Sequence, residues 1–331
     1  MSASKSSMKK FLDWDEPAHL VEMAKSPAPK NNDVGYIFAP DGKRLRVGIF
    51  WPDKKPKATI ILMSGYSECI EKYFETIQNF LDRDYCVCMP EWRGHGLSDR
   101  MSSDRVRLHL EDFDINARDL ILRVERVTRD VCPAPYYGVA HSMGGQIALR
   151  GLLLWPDMFK KLALCAPMID VPVPPITRAV LSVLGFMARL RGNLDRYAPG
   201  DPPSRTPERP NQNWVTYDEE RYAQGEALLR EDTDLQVNGR SLGWTISALK
   251  IMQDTARPEV LRSIDCPIFF GIAADEHLVK NAAIERAVGY LPNAKSKVYP
   301  KARHELFMEL DVTRDEFIED IDRFLMQSDD A

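Results

Sequence analysis

No stretch of about 18 consecutive uncharged apolar residues occurs in this chain, which excludes a membrane-spanning helix. The first residues also lack an apolar segment: Lys5, Lys9 and Lys10 are followed by Asp13, Asp15 and Glu16, so no secretory leader is expected. An excess of positive charge is missing as well. Forty-four Lys and Arg against 49 Asp and Glu leave a formal net charge of -5, without the basic footprint that phosphate backbones require, and no nucleic-acid partner is expected. Cysteine is scarce and unpatterned. The six lie at 69, 86, 88, 132, 165 and 266 with no Cys-x-x-Cys pair, and read as reduced, mostly buried thiols of a cytoplasmic chain. Repeats and low-complexity tracts are absent, and a composition of 44% hydrophobic and 28% charged residues excludes disorder. What remains is a globular chain of 331 residues, enough for one large α/β unit carrying an insertion.

Residues 1–32 are polar and proline-containing and read as a loosely held N-terminal arm. From Val34 the pattern alternates about Pro40-Asp41-Gly42, which predicts a β-hairpin over 34–39 and 43–51. Ala58 to Met63 is a continuous aliphatic run of the kind buried on both faces in a parallel strand. Helical spacing over 69–83, a strand at 85–89, a long helix over 110–130, a strand at 136–140, a helix over 143–155 and a strand at 162–166 continue the alternation. This is the pattern of a mostly parallel sheet with helices on both faces. The pattern fails over 171–262, which holds nine of the 23 prolines, a Pro/Arg-rich loop at 199–210 and helical segments near 176–190, 218–230 and 240–254. We read this stretch as an inserted helical cap. The core, 33–170 and 263–331, resumes with a strand at 268–273, a helix over 280–290, a strand at 296–299 and a closing helix over 313–326.

The most informative segment is Val139-Ala140-His141-Ser142-Met143-Gly144-Gly145, placed where a strand ends and a helix begins. Small residues around a serine at a sharp strand-to-helix turn match the nucleophile elbow G-x-S-x-G, with Ala140 in the first glycine's place. A serine that merely caps a helix looks similar in isolation. Here the helix start would aim its N–H groups at an oxyanion forming on Ser142. A serine hydroxyl needs a base, and of the six histidines His304 follows the last strand, where the order Ser, acid, His puts it. His141 adjoins Ser142 but should point away, and His95 belongs to a turn. Met308 stands where H-E-x-x-H would need its second histidine, so no metal site emerges. The acid must lie after the strand 268–273, where Asp275 and Glu276 stand side by side.

These residues resemble the α/β-hydrolases, and among them the branch of bacterial lysophospholipases and monoacylglycerol lipases often catalogued with the serine aminopeptidases. The likeness covers about 34–326. It rests on Ser64-Gly65-Tyr66-Ser67-Glu68-Cys69-Ile70-Glu71-Lys72-Tyr73, on Trp92-Arg93-Gly94-His95-Gly96-Leu97-Ser98, on Ala140 to Gly145, and on the acid and histidine loops. The fold implied is the α/β-hydrolase fold, a mostly parallel central sheet with an inserted helical cap. Such enzymes often have His-Gly where this chain has Ser64-Gly65, a departure that leaves the backbone donor intact. By resemblance, the oxyanion hole is the N–H of Tyr66 paired with that of Met143. The family's acid falls nine residues after the proline opening its strand, and counting from Pro267 favours Glu276 over Asp275. The turn 93–98 reads as architecture, and Glu68 as a brace for that turn.

Within the cap, Ile176 to Leu190 is mostly apolar, with Arg178, Arg189 and Arg191 near its ends. It is expected to pack against the core and line an acyl pocket; the sharper reading is a surface that dips into the membrane interface. Trp214, Trp244 and Met252 are further candidates for pocket lining. The expectation is a serine hydrolase of monoacyl lipid esters, needing no cofactor, in the cytoplasm with peripheral contact at the inner face of the membrane. An esterase or peptidase of small soluble substrates would share every catalytic residue. A catalytically idle binding module is the remaining class.

Overall fold

The computed structural model describes residues 14–201 and 213–328. Nine strands form one sheet in the order β1-β2-β3-β5-β4-β7-β8-β10-β11. They are β1 (Glu16–Pro17), β2 (Asn32–Phe38), β3 (Arg44–Phe50), β4 (Ala58–Met63), β5 (Tyr85–Pro90), β7 (Tyr136–His141), β8 (Lys161–Cys165), β10 (Ile268–Ala273) and β11 (Ala294–Tyr299). β6 (Arg107–Leu108) and β9 (Gly239–Arg240) form a separate parallel pair. From β5 to β11 all neighbours are parallel, while β1, β2 and β3 add an antiparallel edge. β4, β5, β8 and β10 are buried along their whole length, as continuous apolar runs covered by helices on both faces should be. The hairpin forms where expected, with Gly42 supplying a positive φ of 77° at its turn.

The helices are α1 (Phe74–Leu81), α2 (Asp114–Arg123), α3 (Arg129–Val131), α4 (Met143–Leu154), α5 (Pro175–Leu190), α6 (Glu219–Glu231), α7 (Leu242–Thr255), α8 (Pro258–Leu261), α9 (Asn281–Tyr290) and α10 (Asp311–Met326). The single helix expected over 110–130 is interrupted by a wider π turn at Val124–Thr128.

Two expectations need correction. The described part of the arm, from residue 14, is tied down rather than loose: Trp14 Nε1 donates to Asp33 at 2.8 Å, its ring lies against Gly35, and Glu16–Pro17 pair with Tyr36 and Gly35. Residues 1–13 of that arm and 202–210 of the Pro/Arg-rich loop lie outside the described residues. The second correction concerns α5, which buries only a narrow strip against the core. Only Leu181, Gly185 and Ala188 are buried. Gly185 meets Ile246 of α7 so closely that a side chain there would collide with it, and this contact forms a narrow seam. α7, by contrast, buries Leu242, Trp244, Ala248, Leu249, Ile251 and Met252.

Candidate active site

Strand β7 ends at His141, and Ser142 is the hinge between it and α4, with φ 48° and ψ -113°. A positive φ in a non-glycine residue is strained and persists only when its surroundings over-determine it. Here the Ser142 N–H donates to the Cys165 carbonyl at 2.9 Å, and its own carbonyl accepts the Met168 N–H at 2.9 Å. The glycine pair serves close approach. A Cβ on Gly144 would fall 2.5 Å from the Ser64 carbonyl oxygen, and one on Gly145 2.7 Å from Pro167. The Ser142 side chain does not cap α4, which sets the helix-cap reading aside.

Its Oγ instead lies 2.9 Å from His304 Nε2, and His304 Nδ1 lies 2.7 Å from Glu276 Oε2. A carboxylate only accepts, so Nδ1 carries the proton and Nε2 is left as the acceptor for the serine hydroxyl. Burial by itself opposes ionisation of Glu276. The His304 ring and the N–H groups of Leu278 and Val279 outweigh it and hold the carboxyl below its ordinary value. Asp275, the other candidate acid, points elsewhere. It accepts from Tyr217 at 2.6 Å and pairs with His277 at 2.9 Å and Arg303 at 3.3 Å, and it is not brought to His304.

The loop after β4 carries Tyr66. Neither the Tyr66 N–H nor the Met143 N–H has a hydrogen-bond partner among the described residues. The loop is braced by Glu68, which was expected to hold the turn 93–98 and instead accepts from the Gly65 N–H, from Tyr73 at 2.6 Å and from Lys72 at 2.8 Å. His95 is pushed down to about 4 by burial and meets the Tyr66 ring edge-on. The turn that contains it is held by Arg93 on Asp119 and by Gly96 lying flat on Glu91. It supports the site and reaches no reacting atom.

Residues 54–311 match the family described as serine aminopeptidase, S33. The chain belongs to that family. Among curated relatives of this S33-family chain, a probable lysophospholipase L2 of Haemophilus influenzae is 25% identical over 83% of this chain and 85% of its own length. A monoacylglycerol lipase of Mycolicibacterium smegmatis is 26% identical over 81% and 88%. Among solved structures, a monoglyceride lipase variant from Saccharomyces cerevisiae superposes with a TM-score of 0.68 at 17% identity, covering 89% of this chain and 95% of that one. A carboxyl esterase from Bacillus coagulans gives 0.71 at 20% identity, covering 89% and 98%. At these identities the structures establish the α/β-hydrolase fold.

Two further parts of this S33-family site were missed as contacts, although Glu68, Trp214 and Trp244 within them were each expected to have a role. The 171–262 insertion sits directly on the loop that carries Tyr66: Trp244 packs on the Tyr66 ring at 5.3 Å, and Ser67 Oγ donates to the Val237 carbonyl at 2.6 Å. Trp214, expected as pocket lining, is half exposed and meets the His277 ring edge-on, two residues beyond Asp275. The other missed part lies beneath His304. Ligand-type atoms of Glu68, His141 and Glu305 come within 4.8 Å of one another, but the Lys72 ammonium already bonds to both carboxylates. The quoted loop motif contains Lys72, yet nothing local to it names Glu305 as its partner.

Proposed function

We propose that this chain is a serine hydrolase of carboxylic esters whose nucleophile is Ser142. The carrying observation is the hydrogen-bonded series from Ser142 through His304 to Glu276, set on a serine held at positive φ. His304 Nε2 takes the hydroxyl proton as Ser142 Oγ attacks the ester carbonyl, and Glu276 stabilises the imidazolium that forms. The N–H groups of Tyr66 and Met143 receive the oxyanion. Collapse expels the alcohol, protonated by His304. Water, activated by the same ring, then releases the acid from the acyl-enzyme.

The substrate in this proposal is a monoacyl lipid ester, a lysophospholipid or monoacylglycerol, as the names of the relatives indicate for those proteins. Two features favour it. A cavity of about 380 Å³, with Ile169, Val173, Met252 and Leu261 in its wall and Asp170, Arg178, Lys280 and Arg286 beside them, adjoins the segment whose Met168 N–H donates to the Ser142 carbonyl. And α5 turns Ile176, Val180, Val183, Met187 and Leu190, spaced along one face, out to solvent, with Phe186 beside them. Such a surface fits shallow insertion into the interface of a membrane or lipid aggregate, where the substrate resides.

The test is labelling by a fluorophosphonate probe with the modified peptide located by mass spectrometry, followed by esters of increasing acyl length set against amino-acid arylamides. Labelling at Ser142 that vanishes in Ser142→Ala, with turnover rising toward long-chain monoacyl esters, is the expected result. Preferred turnover of the arylamides would make the chain a peptidase. Folded wild type that stays unlabelled in detergent would make it a binding module.

A further inference from the structure

Two halves of the proposed site are carried by loops far apart in sequence, and one side chain joins them. Glu68 lies on the loop after β4 that presents the Tyr66 N–H, and Glu305 directly follows His304. Lys72 Nζ is 2.8 Å from Glu68 Oε1 and 2.7 Å from Glu305 Oε1. The second oxygen of Glu68 receives the Gly65 N–H and the Tyr73 hydroxyl, while the Ser64 carbonyl receives Trp92 Nε1 at 2.8 Å. The peptide unit between Ser64 and Gly65 is therefore pinned at both ends, and only the torsions of Gly65 separate it from the Tyr66 N–H. No side chain fits at that position, because a Cβ on Gly65 would fall 2.8 Å from the His141 ring and 2.9 Å from Glu68.

Charge makes the bridge necessary. Burial favours the neutral form of both carboxyls, yet Lys72 and its neighbours hold Glu68 down at about 2, while burial leaves Glu305 raised. Removing the ammonium would leave two mostly buried carboxyls close together with no cation between them, an unfavourable arrangement. His141 cannot replace it. Its ring is pushed down to about 3 by burial, so it stays neutral, and it lies against the His304 ring with centroids 4.7 Å apart.

We propose that Lys72 is a positioning residue that sets the oxyanion loop and the histidine loop in register, through Glu68 on one side and Glu305 on the other. This rests on the hydrolase reading above. It assigns to Lys72 no contact with substrate; its effect falls on the placement of the Tyr66 N–H relative to His304 and Ser142. Misplacement of such groups by about 1 Å costs roughly 10²-fold in rate, as does removal of one oxyanion donor.

The experiment compares wild type with Lys72→Met, Lys72→Arg and Glu305→Gln. It measures kcat and KM on a short-chain aryl ester, the rate of fluorophosphonate labelling at Ser142, and thermal unfolding. Lys57→Met, which removes a half-exposed ion pair with Asp322 at the opposite end of β4, controls for loss of an ion pair as such. Lys72→Met is expected to lower kcat by about 10²-fold and labelling by a similar factor, with KM changed by less than about threefold. Lys72→Arg should recover most of the loss, and Lys57→Met should leave kcat unchanged. Glu305→Gln, which loosens only the histidine side, should lower kcat by about tenfold and carries the test if Lys72→Met does not fold. A folded Lys72→Met or Glu305→Gln with wild-type kcat overturns the proposal, as does a loss that Lys72→Arg leaves unrelieved. Wild type that neither labels nor turns over ester overturns the hydrolase reading itself, an outcome seen before any Lys72 variant is made.

Discussion

Helices α4 and α5 are both rich in aliphatic residues, but the fold uses them in opposite ways. α4 buries Met143, Ile147, Ala148, Leu149 and Leu152 against the sheet, and its first turn presents the Met143 N–H beside Ser142. α5 buries only Leu181, Gly185 and Ala188 along one seam and leaves Ile176, Val183, Phe186 and Leu190 at least 60% exposed. The difference shows that apolar content alone does not locate a core. In α4 hydrophobicity fixes Ser142 in place. In α5 it forms an apolar surface on the cap, whose natural complement is another apolar phase.

The same contrast recurs within two adjacent residues, and there its functional consequence is largest. The Glu276 side chain is 1% exposed and held by His304 and two backbone N–H groups, whereas that of Asp275 is 36% exposed and faces Tyr217, His277 and Arg303. Glu276→Gln should lower kcat by about 10³- to 10⁴-fold, because the amide favours the wrong tautomer of His304. Asp275→Asn should stay within about threefold, since it alters no group that orients His304. Steady-state kinetics on one ester decides the pair, and equal losses would mean that the two carboxylates share the role.

Acid should expose the interior in a way the cap cannot imitate. His95 and His141 are buried and neutral, at about 4 and about 3 against an ordinary 6.5. The unfolded chain binds their protons first as pH falls below 6.5, so the stability present above that pH is lost progressively down to the folded values. Two such groups give a slope of roughly 3 kcal/mol per pH unit. Denaturant unfolding between pH 6.5 and 4.5 measures it. His95→Asn should about halve the slope, and an unchanged slope would place the linkage elsewhere.

What could be read in the sequence divides along the same line. The elbow was legible because its evidence is local: a strand, a serine between small residues, a glycine pair and a helix within seven positions. Long buried strands such as β4 and β10 were legible because burial on both faces leaves an unbroken apolar run. The choice between Asp275 and Glu276 needed the spacing from Pro267, since two neighbouring carboxylates are chemically alike. The Lys72–Glu305 contact spans 233 positions, and a lysine in a loop motif ordinarily signals a solvated side chain. β1 and the β6–β9 pair have two residues per strand, too few for any period to show. The facing of α5 was hidden for a different reason: its apolar face, Ile176, Val180, Val183, Met187 and Leu190, is the one a pattern would bury, and the fold turns it outward.

That last inversion has a direct measurement. Ile147→Ala in α4 removes a fully buried side chain and should cost about 2–5 kcal/mol of unfolding free energy. Val183→Ala in α5, where the side chain is 60% exposed, should change stability by less than about 0.5 kcal/mol. Stability is then the wrong property by which to judge α5, and lipid partition the right one. Serine at Val183, Phe186 and Leu190 together should leave hydrolysis of a short soluble ester unchanged, because none of the three contacts Ser142, His304 or Glu276. It should weaken co-sedimentation with phospholipid vesicles and slow turnover of a monoacyl lipid presented in them. If the triple variant sediments like wild type, the outward face of α5 has some other complement, and its likeness to a membrane-dipping helix is one of composition alone.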